Sequence, residues 1–262
     1  MSARGAIERE LLAWMRDEPE RADEARFERL ALALFAFQFE ANRPYGRFCA
    51  ARGATPASIG SWREIPVVPS GAFKELPLRC FPAERSLHVF RTSGTSSARR
   101  GELHLDTLEL YEASLLASFE RGLLPDLGAS ERLPMLVLAP SPAELPDSSL
   151  SHMFGVMLER RGAPGSGFFL REGALEVDRL IEALARAGGA PKLLLCGTAF
   201  AFVHLLEALE RRGLRLSLSA GARRAAGGGR GPRIRFGVIL DSAERRSTNR
   251  IIIDTASRAT RS

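Results

Sequence analysis

Continuous apolar runs followed by amphipathic stretches most constrain how this 262-residue chain can fold. MLVLA at 135–139 contains no polar residue, which is typical of a strand covered on both faces. GFFL at 167–170 and KLLLCG at 192–197 are two further strand candidates, and each precedes a stretch of helical periodicity. The apolar positions of these stretches follow the spacing i, i+3, i+4 and i+7: Val177, Leu180, Ile181 and Leu184, then Phe202, Leu205, Leu206 and Leu209. Repeats of strand and helix predict an α/β fold in layers, with a mainly parallel sheet flanked by helices.

The first half of the chain predicts a helix, an irregular segment and a hairpin. Residues 22–42 predict a helix that is buried in its apolar second half. Residues 56–78 are interrupted by prolines, so no long helix is expected there. LHVF at 87–90 and ELHLD at 102–106 predict two short strands joined by a loop. Asp106, with an acidic residue three positions later, predicts a capping box for the next helix.

The loop between these two strands is rich in hydroxyl side chains. Its backbone N–H groups and hydroxyls can converge on one point, and its glycine permits a close approach, which suits a polyphosphate. Serine, threonine and glycine are also ordinary turn residues, so a solvated hairpin loop remains an alternative. Neither a Walker A loop nor a G-x-G-x-x-G pattern occurs. The candidate phosphate-binding residues are Thr92, Ser93, Gly94, Thr95, Ser96, Ser97, Arg99 and Arg100.

Two further positions are candidates for a ligand site. Gly197 and Thr198 are predicted at the carboxyl end of a strand and at a helix N-cap, where open α/β sheets bind ligands. His152 precedes an apolar helical stretch, and its residue context predicts a partly buried side chain whose hydrogen bonds are satisfied.

Composition limits the class of protein. The chain is 45% hydrophobic and 26% charged, which is ordinary for a soluble globular protein, and no apolar run is long enough to span a membrane. Its three cysteines, Cys49, Cys80 and Cys196, are widely separated, which argues against disulfides and predicts a cytoplasmic location. Cys196 lies near the end of a predicted buried strand, which predicts a thiol in the core.

The positive charge of the chain is concentrated in one segment. Residues 221–262 carry ten arginines and three acidic residues, whereas the whole chain has 37 basic and 31 acidic residues, so residues 1–220 are close to neutral. Residues 222–237 also lack apolar periodicity. One interpretation of residues 219–262 is a basic Gly/Arg-rich tail that binds RNA through charge. The other is a shifted reading frame or a truncated gene.

The TSGTSS run at 92–97, between a hydrophobic strand and a basic pair, resembles the phosphate loop of the adenylate-forming ligases. Three other segments, at 62–75, 140–162 and 193–209, make the chain similar to one branch of them, and they occur in that family's order. That branch is the acyl-protein synthetases of the LuxE type, which activate fatty acids in bacterial bioluminescence and related pathways. The similarity runs from near residue 30 to residue 218.

This resemblance implies that residues 1–218 form a partial acyl-adenylating domain, layered like the N-terminal region of those ligases. It implies activation of a long-chain fatty acid by ATP as acyl-AMP, with Mg²⁺, and transfer of the acyl group to a protein thiol. The partner would be an acyl reductase or carrier. The hydroxyl residues with Gly197 and Thr198 would bind ATP, Thr95 would contact magnesium, and Arg99 or Arg100 would neutralise phosphate charge. His152 would lie beside the acyl carboxylate as a catalytic residue.

The chain also departs from the family's pattern. The family continues into a Tyr-Gly-x-Thr-Glu motif, and neither tyrosine of this chain, Tyr45 or Tyr111, begins one. None of its cysteines matches the family's acyl acceptor, and an arginine pair stands where the wider group usually has lysine. These departures favour a degenerate or truncated segment at 219–262 and predict impaired turnover. The alternatives are a nucleotide-binding remnant without catalysis and an RNA-associated protein that uses the basic tail.

Overall fold

The computed structural model of the protein describes residues 2–17, 23–92, 99–125, 127–187, 192–213 and 233–239. The chain divides into two compact units, Met1–Phe119 with Asp147–Ser149 and Glu120–Pro146 with Leu150–Ser262. The fold is mixed α/β, with helices flanking a small parallel sheet in the second unit, as the sequence predicts.

Three helices open the first unit, and each begins at a short polar side chain. The Ser2 hydroxyl accepts a hydrogen bond from the first turn of one helix, and Asp23 and Asn42 do the same for the next two. Such caps satisfy N–H groups that have no partner within the helix. The helices are α1 (Ala3–Arg16), α2 (Glu24–Ala41) and α3 (Arg43–Ala50). The sequence predicted α2, whereas α1 and α3 were not predicted.

The proline-rich segment of the first unit is irregular, as predicted. Its helical elements are a 3₁₀ turn at Trp62–Glu64 and the short helix α4 (Ala72–Glu75). Helix α2 buries Leu30 and Phe35, while most of its other apolar residues are half-buried. The second half of α2 is therefore less covered than its apolar composition predicts.

The predicted hairpin is present in the first unit. Strand β1 (His88–Arg91) pairs antiparallel with β2 (Glu102–Leu105), and Arg91 lies opposite Glu102 at the end that leads into the connecting loop. Helix α5 (Glu109–Leu123) follows. The loop between the strands is therefore the tip of a hairpin.

The predicted capping box before α5 is wrong. Both carboxylate oxygens of Asp106 accept hydrogen bonds from the Arg4 guanidinium, at 2.5 and 2.8 Å, so they are not available to the helix. The Thr107 hydroxyl instead accepts from the Glu109 N–H at 3.2 Å. A bidentate pair with a guanidinium outcompetes a bond from a backbone N–H, because both of its partners are charged and it makes two hydrogen bonds.

A four-stranded parallel sheet is the centre of the second unit. The strand order is β4–β3–β7–β8, and each neighbouring pair is parallel. Helices α6, α7 and α8 lie between these strands in the chain. The elements are β3 (Met135–Leu138), α6 (Ser149–Arg161), β4 (Gly167–Phe168), β5 (Leu170–Arg171), β6 (Ala174–Leu175), α7 (Val177–Ala187), β7 (Lys192–Thr198), α8 (Ala199–Arg211) and β8 (Arg233–Ile239).

The apolar runs of the sequence form the core of this unit. All four residues of β3 are fully buried, and Leu193–Gly197 of β7 are buried as well, which confirms strands covered on both faces. One face of these strands packs against Leu180 and Leu184 of α7 and Leu205 of α8. The buried apolar surface is the main source of stability for a fold of this kind.

Two predictions in this unit were wrong in detail. GFFL does not form one strand, because the chain leaves the sheet after β4 and turns back as the β5–β6 hairpin. Glu172 and Gly173 make that turn with φ of 52° and 77°, the backbone form of a tight type I′ hairpin turn. On α8, Leu206 is 57% exposed, whereas Ala201 and Ala208 are buried beside Leu205.

Strand β8 lies inside the segment that the sequence assigned to a basic tail. Its backbone pairs with β7 along the whole strand, from Lys192 opposite Arg233 to Thr198 opposite Ile239. The other residues of 219–262 lie outside the described part of the chain. Among the described helices, none has the length and apolar character needed to cross a membrane.

Candidate functional site

The loop that joins β1 to β2, residues 92–101, has a closed base. We call it the hydroxyl loop. The Thr92 N–H donates to the Gly101 carbonyl at 2.9 Å, and the Gly101 N–H donates to the Thr92 hydroxyl oxygen at 2.9 Å. These bonds continue the hairpin by one residue pair beyond Arg91 and Glu102. A loop held in this way is presented by a rigid scaffold, which is typical of binding loops.

The centre of the hydroxyl loop lies outside the described residues. Ser93, Gly94, Thr95, Ser96 and Ser97 all belong to this part, so their phosphate contacts and the magnesium contact of Thr95 stay predictions. At the base of the loop, the Thr92 hydroxyl uses its oxygen as an acceptor for Gly101. A hydroxyl also carries one hydrogen, which leaves this group able to donate to a ligand.

In the described part of the hydroxyl loop and its surroundings, three arginines at the base of the loop pair with three carboxylates. The charges of these six groups cancel, so together they are close to neutral. The arginines are all at least 37% exposed, and exposed pairs of this kind contribute at most about 1 kcal/mol each. A triphosphate, with its larger negative charge, can therefore compete for the guanidinium groups. The pairs are Arg91 with Glu102 at 3.0 Å and with Asp147 at 3.6 Å, Arg99 with Glu75 at 3.1 Å and Arg100 with Asp147 at 2.9 Å.

The two predicted phosphate-binding arginines have different surroundings. Arg100 donates from Nε to the Thr92 carbonyl at 2.6 Å and from Nη2 to the Arg91 carbonyl at 3.4 Å, so it holds the base of the loop together. The Arg99 side chain is 66% exposed and pairs with the exposed carboxylate of Glu75 at 3.1 Å. Because the Arg99 side chain is the more exposed of the two, its guanidinium is the more accessible to a phosphate.

Close packing at Gly101 joins the loop to α4. Gly101 is buried, and a side chain added there would meet Thr92 Cγ2 at 3.3 Å and Phe73 Cβ at 3.5 Å. Phe73 and Glu75 both belong to α4, and Glu75 is the carboxylate that pairs with Arg99. One short helix therefore contacts both the base of the loop and its exposed arginine.

Gly197 and Thr198 belong to the second unit, at the carboxyl end of β7, as predicted. Thr198 is the N-cap of α8, and its hydroxyl accepts from the Ala201 N–H at 3.3 Å, which confirms the predicted cap. A Cβ atom at Gly197 would lie 2.5 Å from the Leu138 carbonyl oxygen and 2.7 Å from Leu138 Cβ. Packing of β7 against β3 therefore explains this glycine without a ligand.

His152 also belongs to the second unit, in the first turn of α6, and its side chain is half-buried. It has an interaction partner in the structure, and its predicted role beside the acyl carboxylate stays a prediction. The structure thus gathers Thr92, Arg99 and Arg100 within the first unit, while the remaining described candidates lie in the second.

Sequence reasoning missed a cavity of about 500 Å³ in the first unit. Its wall comes from α1, α2, the irregular segment around residues 66–81, β2 and the start of α5, and most of it is apolar. We call it the first-unit cavity. Ligand pockets of this volume with a few polar groups among apolar ones are typical of small-molecule sites. No single segment carried a signal, because the lining residues are scattered over more than 100 positions.

The polar groups of this cavity include a strong ion pair. Arg4 binds Asp106 through two hydrogen bonds and also pairs with Glu8 at 2.6 Å, while the Asp106 side chain is only 7% exposed. The Arg4 guanidinium holds the pKa of the Asp106 carboxyl below its ordinary value. Cys80 lines the same cavity, and burial raises the pKa of its thiol.

The cysteines and the acidic residues do not assemble a metal site in the described part of the chain. No group of three or more His, Cys, Asp or Glu side chains is close enough there to hold a metal ion. Cys49, Cys80 and Cys196 are free thiols, and Cys196 is buried at the end of β7, where the sequence predicted a core thiol. Burial raises the pKa of the Cys196 thiol.

No protein-family model matches the chain, and no curated protein or solved structure matches it. The likeness to acyl-protein synthetases therefore depends on the motifs quoted above.

Proposed function

We propose that the protein belongs to the chemistry in which ATP activates a long-chain fatty acid as acyl-AMP and the acyl group passes to a protein thiol, with turnover impaired by the departures of this chain from the family's pattern. The observation that carries this proposal is the hydroxyl loop, which the Thr92–Gly101 bonds hold at the tip of a hairpin with Arg99 at its base. A Ser/Thr/Gly run held in this way can direct several donors at one polyphosphate. The resemblance of residues 92–97 to the phosphate loop of adenylate-forming ligases indicates which reaction is proposed, namely acyl adenylation.

The proposed reaction has two steps. A carboxylate oxygen of the acid attacks the α-phosphorus of ATP, and the bond from that phosphorus to the bridging oxygen breaks, releasing pyrophosphate. A thiolate then attacks the acyl carbon and AMP leaves. The protein has to align the two reactants and to stabilise the charge on the departing pyrophosphate.

The base of the hydroxyl loop fits a triphosphate chemically. In the proposal Thr92 donates its hydroxyl hydrogen to a phosphate oxygen, and Arg99 leaves Glu75 to pair with the β- or γ-phosphate. Arg100 keeps its bonds to the Thr92 and Arg91 carbonyls and so maintains the shape of the loop. Magnesium, when bound, neutralises phosphate charge, and Thr95 is the proposed residue beside it.

The second unit and the acyl acceptor also have a place in the proposal. The parallel sheet with flanking helices supports a layered arrangement like that of the N-terminal region of adenylate-forming ligases. The roles that the resemblance implies for Gly197, Thr198 and His152 stay predictions. The acyl group goes to a reductase or carrier partner in the cytoplasm.

Replacing Thr95 with valine should weaken binding of Mg-ATP by roughly 1 to 2 kcal/mol, the scale of one hydrogen bond to a charged group. Valine keeps the branched shape and removes the hydroxyl, so the loss isolates that one donor. Isothermal titration calorimetry on both proteins measures it. Thr107→Val is the matched control, because its hydroxyl caps α5 outside the hydroxyl loop. Equal affinity in the Thr95 variant and the unchanged protein contradicts the assignment.

Replacing Glu75 with glutamine should act in the opposite direction. The change removes the carboxylate that holds Arg99 at 3.1 Å, so we expect ATP affinity to rise about twofold to fivefold, the range of one exposed ion pair. Glu84→Gln changes the net charge equally but concerns an exposed residue outside the loop. An increase of the same size in the Glu84 control would mean that Arg99 has no special role.

Exchange of labelled pyrophosphate into ATP separates activation from mere nucleotide binding. Myristate-dependent exchange that Thr95→Val reduces supports acyl activation. ATP binding without any exchange supports the nucleotide-binding alternative, in which the carboxylate-paired arginines form a weaker site without turnover.

A further inference from the structure

The first-unit cavity has an apolar interior that matches a hydrocarbon chain. Phe37 of α2, Phe73 of α4 and Leu103 of β2 lie on its wall, together with leucines of α1 and α5. Its volume of about 500 Å³ falls within the range of sites that enclose a small ligand. Burial of each methylene group in such a site contributes a similar increment of affinity, so chain length becomes measurable.

The charges on the cavity wall leave one cation without a carboxylate. Arg4 is neutralised by Glu8 and Asp106, and these two carboxylates make no contact with Arg79. Among the residues that the structure describes, no carboxylate lies within ion-pair distance of the Arg79 guanidinium. Arg79 is half-buried, and a guanidinium without a carboxylate partner favours a bound anion, because its charge is poorly compensated by the protein.

The backbone at Arg79 is well placed to hold that side chain. The Arg79 N–H donates to the Pro77 carbonyl at 3.0 Å, and the Leu78 N–H donates to the Leu76 carbonyl at 2.9 Å, so the segment turns tightly at this point. Leu78 and Cys80 on either side of Arg79 also line the cavity. The turn therefore supplies both apolar wall and one cationic group.

We propose that the first-unit cavity binds a carboxylic acid with an unbranched hydrocarbon chain, with the carboxylate at Arg79 and the chain along the apolar wall. This inference rests on the proposed function for the identity of the ligand and gives the acid a place in the molecule. The cavity also shares Phe73 with the packing at Gly101, so its wall includes the helix that supports the hydroxyl loop.

Calorimetry with decanoate and with decanol tests the carboxylate position. Arg79→Gln should weaken decanoate binding about tenfold or more, because the anion loses a charge-assisted hydrogen bond, and should leave decanol binding within about twofold. Arg43→Gln is the matched control, since Arg43 is exposed and lies outside the cavity lining. Arg79→Lys keeps the charge and should recover part of the loss, which distinguishes a binding role from damage to the fold.

A chain-length series tests the apolar wall. From octanoate to decanoate, affinity should rise about fourfold per added methylene and then level off when the cavity is full. Failure of both decanoate and decanol to bind overturns the proposal. Equal weakening of both ligands by Arg79→Gln, or no weakening of either, overturns the role of Arg79.

The two proposals fail in different ways. Decanoate binding that depends on Arg79, without ATP binding or pyrophosphate exchange, supports the proposed acid site in the cavity and contradicts the proposed reaction. Myristate-dependent exchange that Arg79→Gln leaves unchanged supports the proposed reaction and contradicts binding of the acid at Arg79.

Discussion

Replacing Gly197 with alanine is expected to lower the free energy of unfolding of the second unit by about 3 kcal/mol, the upper part of the range for overpacked cores. The added Cβ would lie 2.5 Å from the carbonyl oxygen of Leu138 and 3.0 Å from its carbonyl carbon. These are backbone atoms of the neighbouring strand, and β3 pairs with β7 at this position. Relief of the clash therefore requires the two central strands to separate.

Gly122→Ala is a matched control in the same unit with the opposite expected sign. Gly122 is exposed within α5, and a Cβ atom there would meet no neighbour within 4 Å. Alanine should raise stability by roughly 0.5 to 1 kcal/mol, because glycine loses more backbone entropy in a helix. Urea unfolding of the three proteins measures both changes. A Gly197 variant as stable as the unchanged protein would show that this close approach of the two strands does not exist in solution.

Replacing Arg4 with methionine should destabilise the first unit by about 2 to 3 kcal/mol at pH 7. The change leaves the Asp106 carboxylate, which is 7% exposed, without its bidentate partner. The expected loss in the free energy of unfolding lies below the range for fully buried ion pairs, because Arg4 is itself 27% exposed and the exposed Arg85 remains 3.7 Å from Asp106. Urea unfolding, with Arg16→Met as an exposed control on the same helix, measures the loss.

The pH dependence of this variant follows from the lowered pKa of Asp106. Because the folded value lies below the unfolded one, the pair stabilises the unchanged protein fully above about pH 4, and this stabilisation is lost as the pH falls through the folded value. In the variant, burial favours the protonated carboxyl. The difference between the two proteins should therefore shrink markedly between pH 7 and pH 3. A difference that is constant over this interval would mean that Asp106 does not carry the effect.

Helix and strand positions in the second unit could be predicted because their signals are local. The apolar run at 135–139 and the strand–helix repeat at 192–209 specify their own burial through spacing alone. The error at Leu206 shows the limit of this reasoning, since spacing cannot tell which side of an apolar helix faces the sheet. Alanines at 201 and 208 allow close approach on that side and leave Leu206 at the surface.

The candidate site was only partly accessible from sequence. The hydroxyl loop and its two strands were found because they lie within 20 residues. The partners of its arginines were not, because Glu75 and Asp147 are distant in the chain. The same holds for the first-unit cavity, since the lack of a carboxylate beside Arg79 among the described residues becomes apparent only when its neighbours in space are known.

The sequence by itself determined the central strands β3 and β7, the helices α7 and α8, the hairpin of the first unit and the hydroxyl-rich run between its strands, since each depends on residues a few positions apart. The tertiary structure alone decided that Asp106 binds Arg4 rather than capping α5, that Gly197 is needed where β7 meets β3, and that scattered apolar residues enclose a cavity. The physical reason is that ion pairing, close packing and enclosure depend on distances in space, which residues up to 100 positions apart reach only after the chain has folded.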